Sequence, residues 1–279
     1  MAELVAVYTV PHTPSFVADV QQTGDTIETA RFFSEIRSHL EKVRPDVIVS
    51  VTNDHFNTFF FDNWPTFAIG VADKTAGPSD QTPGMPWYDL TVESAAARHI
   101  LRGLVKEGFD FSSTVDFQLD HGTLVPLHFL TPDMSLPIVP IFVNCIVPPL
   151  PPAQRCYGLG RAISGAIGSW HKNVRVAVIA SGSLSLEIGG PRVDVDKTFG
   201  VPDPAWANWI LDRIGHCEHD DLVSKASEAR MLEAGNVAGE LLNWIVALGM
   251  VGLRPPEILL DQPKLGNAFA AWNLEESQP

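Results

Sequence analysis

The sequence predicts an α/β fold, a single domain with a central, mostly parallel sheet flanked by helices and an active site at the carboxyl ends of its strands. Short β-rich apolar runs alternate with segments of helical periodicity, which is the pattern of βα units. No repeat of fixed period and no low-complexity linker divides the 279 residues. With 45% hydrophobic and 19% charged residues, the chain can bury a substantial core. Residues 1–279 therefore read as one unit, with 274–279, polar and proline-ended, as a flexible tail.

Leu4 to Val10 is a first strand, broken by Pro11. From Thr26 to Val43 the apolar residues Ile27, Ala30, Phe33, Ile36 and Leu40 recur at helical spacing, and Pro45 ends that helix. Asp46 to Thr52 is a second buried strand, and Phe59 to Val71 a further strand or extended segment. Ala72 to Trp87, rich in Pro, Gly, Asp and Ser, is a loop. Tyr88 to Glu107 reads as a helix, Ile138 to Ile146 as a strand, Arg155 to Trp170 as a helix and Val174 to Ala180 as a strand. Ala205 to Leu248 holds helices, the last through Gly239 to Gly249.

The net charge of −14 repels phosphate backbones and anionic lipid heads, so nucleic acid and membrane are excluded as partners. No apolar run approaches the ~20 residues of a membrane helix. The N-terminus reads as a strand rather than a signal peptide, which implies a cytoplasmic protein. Cys145, Cys156 and Cys217 lack CxxC spacing and read as neutral thiols in a reducing compartment, not as a disulfide frame or a thiolate zinc site.

His12 directly follows the first strand, and His55 follows the second within Asn53-Asp54-His55. Ligands bind outside the carboxyl ends of such strands, so two imidazoles there are candidate ligands of one metal ion. Taken singly, each is equally a hydrogen-bonding or core histidine. Glu240 opens an apolar segment, Leu241 to Val246. It is either a solvated first-turn acid favoured by the helix dipole or the carboxylate of a two-His, one-carboxylate set. In Asp120-His121-Gly122, Asp120 reads as a helix cap, or His121 as a proton-transfer group beside the metal. His128 reads as a packing residue.

These residues resemble the class III extradiol ring-cleavage dioxygenases, typified by the catalytic subunit of protocatechuate 4,5-dioxygenase. The likeness runs in order through His12, Asn53-Asp54-His55, the stretch LDHGTLVPL at 119–127, RCYGLG at 155–160, RVAVIASGSLS at 175–185, Gly190-Pro191-Arg192 and the Glu240 helix. The resemblance implies non-haem Fe(II) held by His12, His55 and Glu240. It implies a reaction in which O2 is inserted into a catecholic aromatic acid, such as protocatechuate, gallate or a methoxylated relative, with meta ring cleavage. Arg192, Ser183 and Ser185 become candidate contacts to that acid. A homodimer or a small partner subunit is a further implication.

The family strand runs into Ser-Gly-Gly-Leu-Ser-His, whose final His is the catalytic base. This chain has Ser181-Gly182-Ser183-Leu184-Ser185-Leu186, so Leu186 stands at the base position. A general base contributes roughly 10²–10⁴-fold. Either His121, Glu187 or a metal-bound hydroxide replaces it, or the chain is a relative without ring-cleavage activity that binds metal or ligand. A zinc-dependent hydrolase on a related scaffold is the remaining alternative.

Overall fold

The structure is a computed structural model and describes residues 1–24, 26–262 and 264–275. Strand β1 (Glu3–Val10) is followed by helix α1 (Phe16–Thr23) and helix α2 (Glu28–Val43), whose buried face is Ala30, Phe33, Ile36, Leu40 and Val43. Strand β2 (Val47–Thr52) is wholly buried, as expected for a central parallel strand. Strand β3 (Phe67–Gly70) then leads to a hairpin of β4 (Lys74–Gly77) and β5 (Tyr88–Thr91). The helix expected from Tyr88 to Glu107 therefore begins late, as α3 (Ser94–Lys106), because Tyr88–Thr91 pairs with Lys74–Gly77 instead.

After β6 (Ser112–Thr114), helix α4 (His121–Leu130) starts at the Asp120 cap. Strand β7 (Ile138–Val143), helix α5 (Ala153–Gly168) and strand β8 (Arg175–Ser181) follow. A small pair, β9 (Glu187–Ile188) and β10 (Phe199–Gly200), precedes helices α6 (Pro204–Gly215), α7 (His219–Lys225) and α8 (Glu228–Ala234). A 3₁₀ turn, Ala238–Glu240, feeds helix α9 (Leu241–Val251), and strands β11 (Ile258–Gln262) and β12 (Asn267–Asn273) close the described chain.

The main sheet has the order β11-β12-β1-β8-β2-β7-β3-β6. Its centre, β1-β8-β2-β7, is parallel throughout, and antiparallel joins occur at β12 with β1, β11 with β12 and β7 with β3. Side chains alternate between the two faces as the pleat requires. Val176, Val178 and Ala180 of β8 join a core with α3, α5, α6 and α9, whereas Ala177 and Ile179 join one with α1, α2 and α4. The carboxyl ends of four adjacent strands thus open on the same edge, between the two helical layers.

Strands β11 and β12 were not anticipated. The Ala-rich run of β12 has little intrinsic strand preference, and pairing with β1 decides its state. Of the expected flexible tail, Leu274 packs on the core and Glu275 pairs with Arg175 at 2.6 Å. Residues 276–279 lie outside the described residues. No helix among the described residues is long and apolar enough to cross a membrane.

Candidate metal centre and active site

His12 leaves the end of β1 and His55 leaves the end of β2, and both imidazoles turn towards Glu240. His12 Nε2 lies 3.0 Å and His55 Nε2 3.4 Å from the same carboxylate oxygen, Oε1. The other oxygen of Glu240 accepts a hydrogen bond from the Ser183 backbone N–H at 2.8 Å. That approach needs Gly182, where a Cβ would fall 2.6 Å from the Glu240 Cβ. The glycine after β8 is therefore part of the seat of Glu240. The alternative of a solvated first-turn acid is not what the fold provides, because Glu240 is buried.

The far side of each ring is fixed as well. The Gly122 carbonyl can only accept, so the Ser181 hydroxyl hydrogen at 2.7 Å goes to it. Ser181 Oγ is then left to accept from His12 Nδ1–H at 3.0 Å, which turns Nε2 towards Glu240. His55 Nδ1 lies 3.1 Å from Asp120 Oδ2, which also accepts the His55 backbone N–H at 2.8 Å. Asp120 Oδ1 meanwhile caps α4 by accepting from Gly122 N at 2.8 Å. The capping role expected of Asp120 is present, and one carboxylate both starts α4 and orients His55.

The third imidazole, His121, is the first residue of α4 and lies over His55, with ring centroids 4.0 Å apart. Donor atoms of His12, His55 and His121 fall within 4.8 Å of one another, so a second set of three overlaps the first. His121 Nδ1 is engaged by the carboxylate of Asp80, which also accepts from Thr82 Oγ1 at 2.7 Å. Asp80 sits in the loop of the β4–β5 hairpin and carried no signal in the sequence beyond being an acid in a turn-rich stretch.

The electrostatics of this floor call for a cation. Burial disfavours a charged His55, but the carboxylates of Asp120 and Glu240 outweigh it and hold its proton to about pH 10. Burial likewise opposes ionisation of Glu240 and Asp120, yet the neighbouring imidazoles hold both well below the usual carboxylate range. The buried carboxylate of Glu240 facing two converged imidazoles is the donor set of a divalent transition metal, with Asp120 as the outer partner of His55, so the residues fit such an ion. His121 differs. Burial and the positive His55 depress its pKa despite the Asp80 partner, which favours the neutral imidazole.

A cavity of about 500 Å³ opens over these groups and is walled by Phe16, Phe56, Ile146, Leu186, Phe199 and Val237 among others. Of the residues expected from sequence, His12, His55, His121, Glu240, Ser183 and Leu186 line it. Ser185 and Arg192 do not. Ser185 Oγ donates to the Ala234 carbonyl at 2.9 Å and accepts from Asp203 N at 3.0 Å, so it ties loops together. Arg192 pairs with Glu187 at 2.5 Å and donates to the carbonyls of Leu232 and Glu233. Glu187 is buried in that pair and also accepts from Asn236 N at 2.9 Å, which removes it as a substitute base. His128 binds Tyr88 at 2.7 Å, the packing role expected of it.

Comparison with known proteins adds the family. Residues 6–265 match the family described as the catalytic LigB subunit of aromatic ring-opening dioxygenase. The chain is 31% identical over 185 residues to a 2,3-dihydroxyphenylpropionate/2,3-dihydroxicinnamic acid 1,2-dioxygenase of Klebsiella pneumoniae, covering 65% of this chain and 56% of that protein. A protein of the same description from Rhodococcus jostii is 27% identical over 283 residues, covering 87% of this chain and 88% of its own length. In the first of these alignments the chain spans about half the length of its relative, 56%. The crystal structure of the uncharacterized protein JW3007 from Escherichia coli K12 superposes with a TM-score of 0.63 at 13% identity, covering 96% of this chain and 99% of that one. That likeness is one of fold.

Proposed function

The chain belongs to the family of the catalytic LigB subunit of aromatic ring-opening dioxygenase, and from that premise we propose that it is a non-haem Fe(II) extradiol dioxygenase inserting O2 into a catechol with meta ring cleavage. The observation that carries the proposal is the convergence of His12 Nε2 and His55 Nε2 on one oxygen of the buried Glu240, at the floor of a cavity large enough for an aromatic ring. His12, His55 and Glu240 would hold the ion. Fe(II) there would supply a redox-active centre with open positions for catecholate oxygens and O2.

The remaining work falls to the protein. Ser181 and Asp120 keep the two imidazoles in the tautomers that offer Nε2. Ser183 N–H fixes the second oxygen of Glu240, so that carboxylate turns a single oxygen to the histidines. His121, neutral and backed by Asp80, is placed to take a proton from a catechol hydroxyl or return one during ring opening. Leu186 lines the cavity but accepts no proton, so His121 carries the acid–base role alone.

Leu186 is also what favours the competing reading, a relative that binds metal and catechol without opening the ring. The test is oxygen uptake by protein loaded anaerobically with Fe(II) and given a panel of catechols. Uptake matching substrate consumed, with a yellow ring-opened product, supports the proposal. Bound Fe(II) with no uptake on any catechol, and uptake gained in Leu186→His, would assign the competing reading. A cytoplasmic setting is proposed with the function, since Cys145 and Cys156 are free thiols whose pKa burial raises.

A further inference from the structure

We infer that the preferred substrate is a catechol whose remaining substituent is apolar and uncharged, rather than the aromatic acid that the family resemblance implies. The inference rests on the ring-opening reading for the catechol end. It rests on the walls of this cavity for the other end.

Among the described residues no lysine or arginine lines the cavity. The residues outside the description, Asp25, Pro263 and 276–279, include neither type. The basic residue expected as an anchor, Arg192, is committed to Glu187 and two carbonyls and is not in the wall. A carboxylate entering this space would give up water and find no cation, which is a costly transfer.

The polar groups that remain are unsuited to replace one. Thr13 and Thr29 offer neutral hydroxyls, approached by Asn267 Nδ2 at 3.4 Å and Gln262 Nε2 at 3.0 Å. Among the described residues the one charged group in the wall apart from the metal cluster is Asp19, an exposed acid accepting from Ser15 Oγ at 2.9 Å. Its sign opposes an anionic substituent, as does the net charge of −14. Phe16, Phe56, Ile146, Leu186, Phe199 and Val237 offer instead the surface that an alkyl or aryl group would cover.

Leu186 is part of the same apolar wall. At the position where the family carries a basic imidazole, this chain has a side chain 7% exposed that adds apolar wall next to the reacting ring. The departure that removes a base also removes a polar group from the substrate's path.

The test compares 3-butylcatechol with 3-(2,3-dihydroxyphenyl)propionate, two catechols whose arms reach equally far from the ring, the terminal methyl of one standing where the other has a carboxylate oxygen. Affinity is read by calorimetry on anaerobic Fe(II)-loaded protein, and kcat/KM by oxygen uptake on the same preparation. The expected result is an affinity about 100-fold or more in favour of the alkyl catechol, the scale of leaving a charge without a partner. Ile188→Arg, at the partly exposed rim of the cavity, is expected to improve binding of the acid about tenfold and leave its lead over 3-butylcatechol still negative.

Equal or tighter binding of the acid overturns the inference. So does a tenfold loss of acid affinity in Lys264→Ala, since Lys264 stands next to the lining residue Leu265 and would then be the missing cation. Binding of neither catechol overturns it together with the ring-opening reading. Selective binding of the alkyl catechol without oxygen uptake upholds the selectivity and overturns the ring-opening reading alone.

Discussion

Ser181 at the end of β8 accepts a hydrogen bond from His12 Nδ1 at 3.0 Å while its own hydrogen goes to the Gly122 carbonyl at 2.7 Å. One hydroxyl thereby joins the strand, the start of α4 and the orientation of a metal-ligand candidate. Ser181→Ala is predicted to weaken Fe(II) binding about 10–100-fold, the usual cost of losing such an outer partner. Titration of the metal-free variant with Fe(II) under anaerobic conditions measures it, and unchanged affinity would refute the role.

His121 and Asp80 are predicted to act on protons rather than on metal retention. His121→Phe should lower kcat by about 10²–10⁴-fold with bound iron unchanged. Asp80→Asn should lower it less, because the imidazole stays in place. Loss of iron in His121→Phe would assign His121 to the ligand set instead, the arrangement that the proximity of the three histidines also permits.

Metal binding is predicted to stabilise the fold more at higher pH. In metal-free protein, the folded-state pKa of His55 is raised from 6.5 to about 10, so its contribution is full below 6.5 and is lost as pH climbs towards 10. Glu240 and Asp120 are depressed below 4.5 and 3.8, so they contribute above those values and lose it as pH falls. An ion takes the place of the His55 proton. The rise in Tm on adding Fe(II) should therefore grow from roughly pH 6 to roughly pH 9. Thermal melts with and without metal across that range check it, and a rise that shrinks with pH would contradict it.

Helices α5 and α9 cross where glycines face each other, which explains two of the stretches that carried the family resemblance. A Cβ on Gly160 would lie 1.9 Å from the Val246 carbonyl oxygen, and one on Gly249 would lie 2.1 Å from that of Tyr157. Both obstacles are backbone, so neither can rotate away. Gly160→Ala is predicted to cost about 3 kcal/mol or more, at the upper end for overpacking. Urea denaturation measures it, and a loss under about 1 kcal/mol would show that the helices can separate.

The parts of the fold that were legible in the sequence are those whose local pattern and tertiary role agree. Strands β1, β2 and β8 are continuous apolar runs because both faces are covered, and α2 shows its buried stripe at helical spacing. The convergence of His12 and His55 on one cavity is legible because the ends of central parallel strands face the crevice. The hairpin strand Tyr88–Thr91 merges with the helical pattern because only Val92 and Glu93 separate it from a true helix, and pairing with Lys74–Gly77 alone sets it apart. Asp80 was invisible for a related reason. Its contact with His121 spans 41 positions, and nothing in a turn-rich loop announces which acid will reach a distant ring. Arg192 stands outside the cavity wall because a near neighbour in sequence, Glu187, pairs with it, and nothing in the sequence marks which acid an arginine will meet.

The His12, His55 and Glu240 cluster is proposed to place O2 oxygen into a catechol ring. The most direct measurement is mass spectrometry of the product formed by Fe(II)-loaded protein from 3-butylcatechol under ¹⁸O2. The account predicts a ring-opened product carrying oxygen from ¹⁸O2, with its formation abolished in Glu240→Ala. A product whose added oxygen comes only from water, or turnover that persists with zinc in place of iron, would contradict it and mark a metal-dependent hydrolase.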